Sequence, residues 1–165
     1  MRIFVTALSV SLLAGGLGYA QLAGPPDPFR EPTTPEAIKQ FNDEKVAELS
    51  MRIAGKEDQP AEAVFKNIKI LTGVPAGKLL KIMQIGYSRS LGVSCIHCHV
   101  PDQWEKDDKP AKQIARDMSK MARTIIFDLL RNIDGLKDRT PLINCTTCHR
   151  GQLKPALDMD DGAKK

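Results

Sequence analysis

All of the cysteines and histidines in this 165-residue chain lie in two short stretches. The first, GVSCIHCHV, spans residues 92–100, and the second, INCTTCHRG, spans residues 143–151. Both contain the pattern Cys-x-x-Cys-His, once at residues 95–99 and once at residues 145–149. The chain must therefore fold around a chemistry that uses two thiols and an adjacent imidazole, and uses them twice.

The pattern Cys-x-x-Cys-His is the attachment signature of c-type haem. Two intervening residues on a helical turn place both sulfurs along one porphyrin edge, where they add to the two vinyl groups as thioethers. The histidine that follows then binds the iron as the proximal ligand. The sequence predicts two covalent haem c groups with their iron, held by the thiols of Cys95, Cys98, Cys145 and Cys148 and by His99 and His149.

Other chemistries use paired cysteines as well. Two Cys-x-x-Cys pairs are compatible with a tetrahedral zinc site, with redox dithiols or with structural disulfides. Zinc does not need a histidine directly after the second cysteine of each pair, and thioredoxin-like chemistry needs a βαβ context that the sequence lacks. Haem is the favoured interpretation, and these alternatives stay open at this point.

The number of histidines limits the second axial ligand of each iron. Two haems with histidine on both sides would need four, and the chain has three, of which His97 is predicted to face solvent. Methionine is the common alternative and raises the potential of a haem. Met83, twelve residues before Cys95, is the predicted ligand of the first haem. For the second haem, Met118 and Met121 share one helix face, and spacing alone does not choose between them.

The apolar residues recur at steps of three or four, and no stretch alternates as a β-strand would. Proline starts and glycine stops predict helices over about residues 35–54, 60–73, 75–91 and 110–135. The last two carry methionine and precede a motif. The expected fold is mainly α, a dihaem c-type cytochrome built from two repeats of a methionine-bearing helix plus a Cys-x-x-Cys-His helix, preceded by one or two extra helices.

The two ends of the chain differ in composition from the middle. Residues 1–20 have a basic start, a short apolar run and a small-residue end, which predicts a signal peptide. Residues 21–34 are rich in proline and predict a linker, residues 35–155 form the haem domain, and the polar residues 156–165 predict a disordered tail. The mature protein is expected in the periplasm or otherwise exported, soluble or peripherally attached to the membrane, with no transmembrane segment after cleavage.

Three stretches resemble the cytochrome c subunit of photosynthetic reaction centres: AEAVFKNIKILTGVPAGKLLKIMQIGYSRSLGVSCIHCHV, DDKPAKQIARDMSKMARTI and CTTCHRG. The resemblance covers about residues 61–155 and is strongest to short, exported, acidobacterial-type members. It implies a methionine from the preceding helix opposite each motif histidine, which pairs Met83 with His99 and Met121 with His149. That family typically has four motifs and often a lipidated N-terminal cysteine, whereas this chain has two motifs and no such cysteine.

The predicted function is single-electron transfer between redox-partner proteins, without catalytic residues or enzyme activity. The candidate partners include a membrane electron-transfer complex or a reaction centre. Loss of Arg2 with the signal peptide lowers the formal charge from +4 to +3, too little for a nucleic-acid-binding surface. Two alternatives stay open: a peroxidase-like dihaem enzyme with one open distal site, and a haem subunit of a larger membrane-associated complex.

Overall fold

The computed structural model describes residues 30–136 and 139–155. No strand forms among these residues, which contain only two isolated β-bridges, so the prediction of a mainly α fold is confirmed. Within the same ranges, no helix has the length and apolar content needed to cross a membrane. The predicted signal peptide, residues 21–29 of the linker and the predicted tail lie outside the described residues.

The described residues form six α-helices, two of which continue into other helical forms. They are α1 (Pro35–Arg52), α2 (Ala61–Val64), α3 (Ala76–Lys81), α4 (Cys95–Cys98), α5 (Pro110–Thr124) and α6 (Cys145–His149). Helix α3 continues as a π-helix over Ile82–Arg89. Helix α5 continues as a π-helix over Ile125–Leu129, followed by 3₁₀ turns over Leu130–Asn132 and Asp134–Leu136.

Helix α1 starts where the sequence predicts and ends two residues early. The Thr34 hydroxyl accepts a 3.2 Å hydrogen bond from the N–H at the third helical position, and Pro35 occupies the first position. The helix ends at Arg52, and Gly55 beyond it has a φ of 80°. Its last turns pack on α3, where Ile53, Ala76 and Leu80 form a buried apolar cluster.

The predicted helix over residues 60–73 is wrong beyond its first turn. Helix α2 ends after four residues because Phe65 is extended, and Asn67 and Leu71 have φ values of 61° and 62°. Residues in this left-handed region do not continue a right-handed helix. The apolar residues that suggested a helix pack in two places instead: Val64 and Phe65 lie against the buried cluster of Ile53, Ala76 and Leu80, and Ile68 lines a cavity next to the first motif.

Each of the two helices that carry a candidate methionine ligand contains or adjoins a π-helical segment, which the sequence pattern does not predict. Met83 lies inside the segment Ile82–Arg89, and Met121 lies four residues before the segment Ile125–Leu129. The first of these helices stops at Gly92, with a φ of 66°, as predicted. The second is α-helical only to Thr124 instead of to about residue 135. Short π-segments occur frequently at functional sites, and both segments here adjoin a predicted iron ligand.

Candidate functional site

The first motif helix, α4, is held in place by a buried asparagine of α1. Asn42 is 5% exposed. Its Oδ1 accepts a 2.9 Å hydrogen bond from the N–H of Cys95, and its Nδ2 donates to the carbonyl of Val93 at 3.2 Å. Asn42 thus satisfies an N-terminal N–H of a helix only four residues long. The sequence contains no signal for this role, because the partners lie 53 and 51 residues away along the chain.

The two motif histidines are oriented in the same way. Nδ1 of His99 lies 2.9 Å from the carbonyl oxygen of Trp104, and Nδ1 of His149 lies 3.1 Å from the carbonyl oxygen of Gln152. A carbonyl can only accept, so each Nδ1 carries the proton and each Nε2 has its lone pair available for a metal. Burial also lowers the pKa of His99, which favours the neutral ring that binds iron. His97 is directed elsewhere, with its Nδ1 3.3 Å from the Glu31 carboxylate.

An open cavity lies beside the first motif. Its wall includes four residues that the sequence assigns to the first haem: Met83, Cys95, Cys98 and His99. Most of the remaining wall is apolar, as is typical of cofactor pockets. The structure therefore brings a thioether, two thiols and an imidazole to one cavity, although Met83 and His99 are sixteen residues apart along the chain.

The cysteines lie in surroundings that favour uncharged sulfur. Burial raises the pKa of Cys95, and it raises that of Cys98 to about 11. Burial also raises the pKa of Cys145 in the second motif. Zinc and redox chemistry use the thiolate, and no group of three metal-ligating side chains forms among the described residues. These surroundings suit thioether sulfur better than the zinc and dithiol alternatives.

The second motif helix, α6, is capped by its own sequence and docks on the end of the first methionine-bearing helix. Asn144 and Thr147 exchange hydrogen bonds of 3.2 Å and 3.1 Å in a reciprocal cap. The hydroxyls of Ser90 and Thr146 are 2.6 Å apart, and the N–H of Gly151 donates to the carbonyl of Ser90 at 2.9 Å. The two motifs are therefore joined through the turn that follows Met83's helix.

The surroundings of Met118 and Met121 are open. These side chains are 36% and 46% exposed, and neither they nor Cys145, Cys148 and His149 line the cavity beside the first motif. Other large apolar side chains on the same helix and just beyond it are exposed as well: Ile114, Phe127, Leu129, Ile133 and Leu142. The structure thus groups the residues predicted for the first haem but does not enclose those predicted for the second.

A tyrosine links the two methionine-bearing helices. The hydroxyls of Tyr87 and Ser119 are 2.6 Å apart, and Ser119 donates its proton to the carbonyl of Ala115 at 2.8 Å. Tyr87 must therefore be the donor to Ser119. Tyr87 also lines the first cavity, and burial raises its pKa. A lone tyrosine on an apolar helix face does not by itself suggest this role.

Comparison with known proteins places this geometry in a family. Residues 16–159 match the family described as photosynthetic reaction centre cytochrome C subunit. Cytochrome c-554 of Chloroflexus aurantiacus is 29% identical over 83 residues, which are 50% of this chain and 20% of that protein. The photosynthetic reaction center cytochrome c subunit of Thermochromatium tepidum is 28% identical over 118 residues, which are 70% of this chain and 28% of that protein.

The chain thus spans between a fifth and a third of the length of these two relatives. The family match, in contrast, covers most of the chain and both Cys-x-x-Cys-His motifs. The chain therefore belongs to the photosynthetic reaction centre cytochrome c subunit family, and it is a c-type cytochrome whose cofactor is covalently bound haem c with its iron.

Proposed function

We propose that this chain is an exported dihaem cytochrome that passes single electrons between redox-partner proteins. The first haem is held by Cys95 and Cys98, with His99 and Met83 as the axial ligands of its iron. The second is held by Cys145 and Cys148, with His149 and Met121 as axial ligands and Met118 as the alternative to Met121. The protein carries electrons and has no catalytic residues of its own.

The common orientation of the two motif histidines is the observation that carries this proposal. Each Nδ1 donates to a backbone carbonyl of the residues that follow the motif, at 2.9 Å and 3.1 Å. Such a bond fixes the tautomer and the ring orientation of a histidine that binds metal through Nε2. Zinc, dithiol and disulfide chemistry do not require the same arrangement twice.

The residues present at the first motif fit a porphyrin. The cavity is bounded by apolar side chains such as Leu79, Leu91 and Val93, which suit the faces of a macrocycle. The buried Nε1 of Trp104, on the same wall, has no hydrogen-bond partner among the described residues. Buried indoles usually have a partner, so the site is suited to a ligand that brings an acceptor.

At the second motif, the support comes from exposed apolar surface. Met118, Met121 and Phe127 leave more than a third of their surface open to solvent. A run of exposed apolar side chains on one helix marks a surface that another group covers. A second haem attached to Cys145 and Cys148 would cover such a surface, as the first haem would fill the cavity.

Haem c, when bound, supplies a one-electron couple between ferric and ferrous iron. The residues of the chain set the redox potential of that couple. Methionine as the second ligand raises the potential relative to histidine. An iron with protein ligands on both sides has no site for a substrate, which suits a carrier rather than an enzyme.

Location and partners follow from the same proposal. The apolar start of the sequence would direct export, and haem c with its two ligands would then work outside the cytoplasm. The relative from Thermochromatium tepidum is named for a photosynthetic reaction center. A membrane redox complex of this kind, or another redox protein, is the partner class that we propose for this chain.

The test is a set of spectra of the full chain matured with haem. We expect two covalent haems, both low-spin and both indifferent to carbon monoxide. Met83→Ala should abolish the methionine–ferric iron absorption of one haem and open that iron to carbon monoxide. Met51→Ala is the matched control, because Met51 is 73% exposed on α1. Met118→Ala and Met121→Ala, compared side by side, identify the ligand of the second haem.

Two results would contradict the proposal. A wild-type protein that binds carbon monoxide has an open iron, which would favour the peroxidase-like alternative. A Met83→Ala protein with the same spectrum as Met51→Ala would remove Met83 from the ligand set.

A further inference from the structure

The backbone carbonyl of Trp104 accepts two hydrogen bonds. Nδ1 of His99 donates to its oxygen at 2.9 Å, and Nζ of Lys112 donates to the same oxygen at 2.9 Å. A carbonyl oxygen has two lone pairs, so both bonds form at once. The hydrogen bond that orients the histidine of the first motif therefore shares its acceptor with a lysine cation.

The ammonium group of Lys112 is held against this carbonyl by its other partners. Lys112 is 8% exposed on α5. Its Nζ also donates to the carbonyl of Lys106 at 2.7 Å and lies 3.2 Å from the carboxylate of Asp107. These partners match the three N–H groups of a lysine. Burial of a charge is costly unless the charge is paired and hydrogen-bonded, so this set of contacts stabilises Lys112 at the Trp104 carbonyl.

The charge of Lys112 is neutralised only in part. Asp107 also lies 2.6 Å from Lys69 and 3.0 Å from Arg116, so one carboxylate serves three cations. No other carboxylate of the described residues forms an ion pair with Lys112. The Trp104 carbonyl therefore faces a cation rather than a neutral ion pair.

The second motif has no counterpart to this lysine within the described part of the chain. Nδ1 of His149 donates to the carbonyl of Gln152 at 3.1 Å. Among residues 30–136 and 139–155, no lysine or arginine side chain donates to that carbonyl. The two motif histidines are oriented in the same way, but only the acceptor of His99 is shared with a cation in these ranges.

A cation on the shared acceptor changes the histidine as a ligand. A carbonyl that accepts the Nδ1 proton makes the opposite nitrogen, Nε2, more basic. Lys112 draws electron density from the same oxygen, so the oxygen attracts the Nδ1 proton of His99 less strongly. A less basic Nε2 stabilises ferric iron less than ferrous iron is affected, which raises the potential.

We propose that Lys112 is a positioning residue that weakens the hydrogen bond from His99 to Trp104 and thereby raises the redox potential of the first haem. The inference rests on the proposed binding of that haem's iron by His99. Lys112 acts through the Trp104 carbonyl and needs no contact with the haem for this effect.

The experiment observes the Nδ1 proton of His99 by NMR. The full chain is matured with haem, labelled with nitrogen-15 in its histidines and reduced, because low-spin ferrous iron is diamagnetic. The Trp104 ring, whose centroid is 5.8 Å from that of His99, identifies the His99 resonance. We expect Lys112→Met to move this proton downfield, because its hydrogen bond becomes stronger, and to leave the His149 resonance in place. The ratio of ferric to ferrous iron in the first haem, at a fixed potential, should rise about fivefold, the effect of one ordinary hydrogen bond.

Lys69→Met is the matched control for the loss of charge. Lys69 lines the same cavity and pairs with the same carboxylate, but its Nζ donates to Asp107 and not to Trp104. The potential should fall in this variant too, because a positive charge is lost, while the Nδ1 proton of His99 should not move. Lys112→Gln retains a neutral donor, so its resonance should move less far downfield than in Lys112→Met. If Lys112→Met does not mature, Lys112→Gln decides the question.

Two results would overturn the proposal. An upfield shift of the His99 proton in the mature Lys112 variants would mean that Lys112 only holds the loop, because the Trp104 carbonyl would then have moved away from His99. A resonance that stays in place, as in Lys69→Met, would mean that Lys112 acts through its charge alone. A wild-type chain that matures without haem at Cys95 and Cys98, as seen in the visible spectrum, would instead contradict the proposed function itself.

Discussion

The contact between Gly92 and Gly151 offers a sharp test of how the two motifs are joined. Gly92 has a φ of 66°, and a Cβ built on it would lie 2.9 Å from the carbonyl carbon of Gly151 and overlap the attached oxygen. Because these are backbone atoms, the second motif would have to move away. We therefore expect Gly92→Ala to separate α6 from the turn that follows Met83's helix.

The cost of this change can be estimated from its parts. Alanine in the left-handed region costs about 1–2 kcal/mol. Loss of the hydrogen bond from Gly151 to Ser90 removes about 1 kcal/mol more. We expect Gly92→Ala to lower the free energy of unfolding by about 2–3 kcal/mol.

Gly73→Ala is the matched control. Gly73 has a φ of 74°, and a Cβ there would meet nothing within 4 Å. Gly73→Ala should therefore lower the free energy of unfolding only by the cost of the left-handed backbone angle, about 1–2 kcal/mol. The measurement is urea denaturation of the oxidised, haem-loaded protein. Equal losses in the two variants would refute the argument, because the cost would then lie in the backbone angle and not in the contact between the motifs.

Two further predictions concern Asn42 and Asp107. Asn42→Ala leaves the N–H of Cys95 and the carbonyl of Val93 without their buried partner, so it should lower the free energy of unfolding by about 1–3 kcal/mol. Gln40→Ala, exposed on the same helix, should change it by less than about 0.5 kcal/mol in the same denaturant titration. Lys69, Lys112 and Arg116 hold the pKa of Asp107 well below its ordinary range. Its contribution is therefore present above its unfolded-state pKa and is lost as the pH falls towards the folded-state value. Asp107→Asn should lower the free energy of unfolding at neutral pH and make it fall less as the pH is lowered. A variant whose free energy of unfolding falls with acid as steeply as that of the wild type would contradict this.

The helix ends that depend on contacts within one turn could be predicted from the sequence. Thr34 and Pro35 specify the start of α1, and Gly92 specifies a helix end, because caps and left-handed residues act within one turn. The motif cysteines and histidines are predictable for the same reason, since attachment to one porphyrin edge needs neighbours in sequence. The helix expected over residues 60–73 failed because Asn67 and Leu71 adopt left-handed backbone angles, and its apolar residues pack in different places: Val64 and Phe65 on the buried cluster, Ile68 on the cavity.

The rest of the site depends on contacts between distant parts of the chain. Asn42 caps α4 from another helix. Asp107 pairs with Lys69, which lies 38 residues earlier in the chain, and with Lys112 and Arg116 of α5. Neither residue belongs to a pattern that spacing could detect. Met83 is predicted as a ligand only because the repeat of helix and motif suggests it, and it lines the same cavity as His99.

Helix α5 relates the two proposed haem sites to each other. Its first turns carry Lys112 and Arg116 on the wall of the first cavity, and its later turns carry Met118 and Met121. Ser119, which follows Met118 in the chain, accepts the hydrogen bond from Tyr87. Lys112 also donates to the Trp104 carbonyl that orients His99, at 2.9 Å from each. One helix therefore carries cations of the cavity beside the first motif and the candidate methionine ligands of the second proposed haem. A change in the position of α5 would therefore affect both proposed sites.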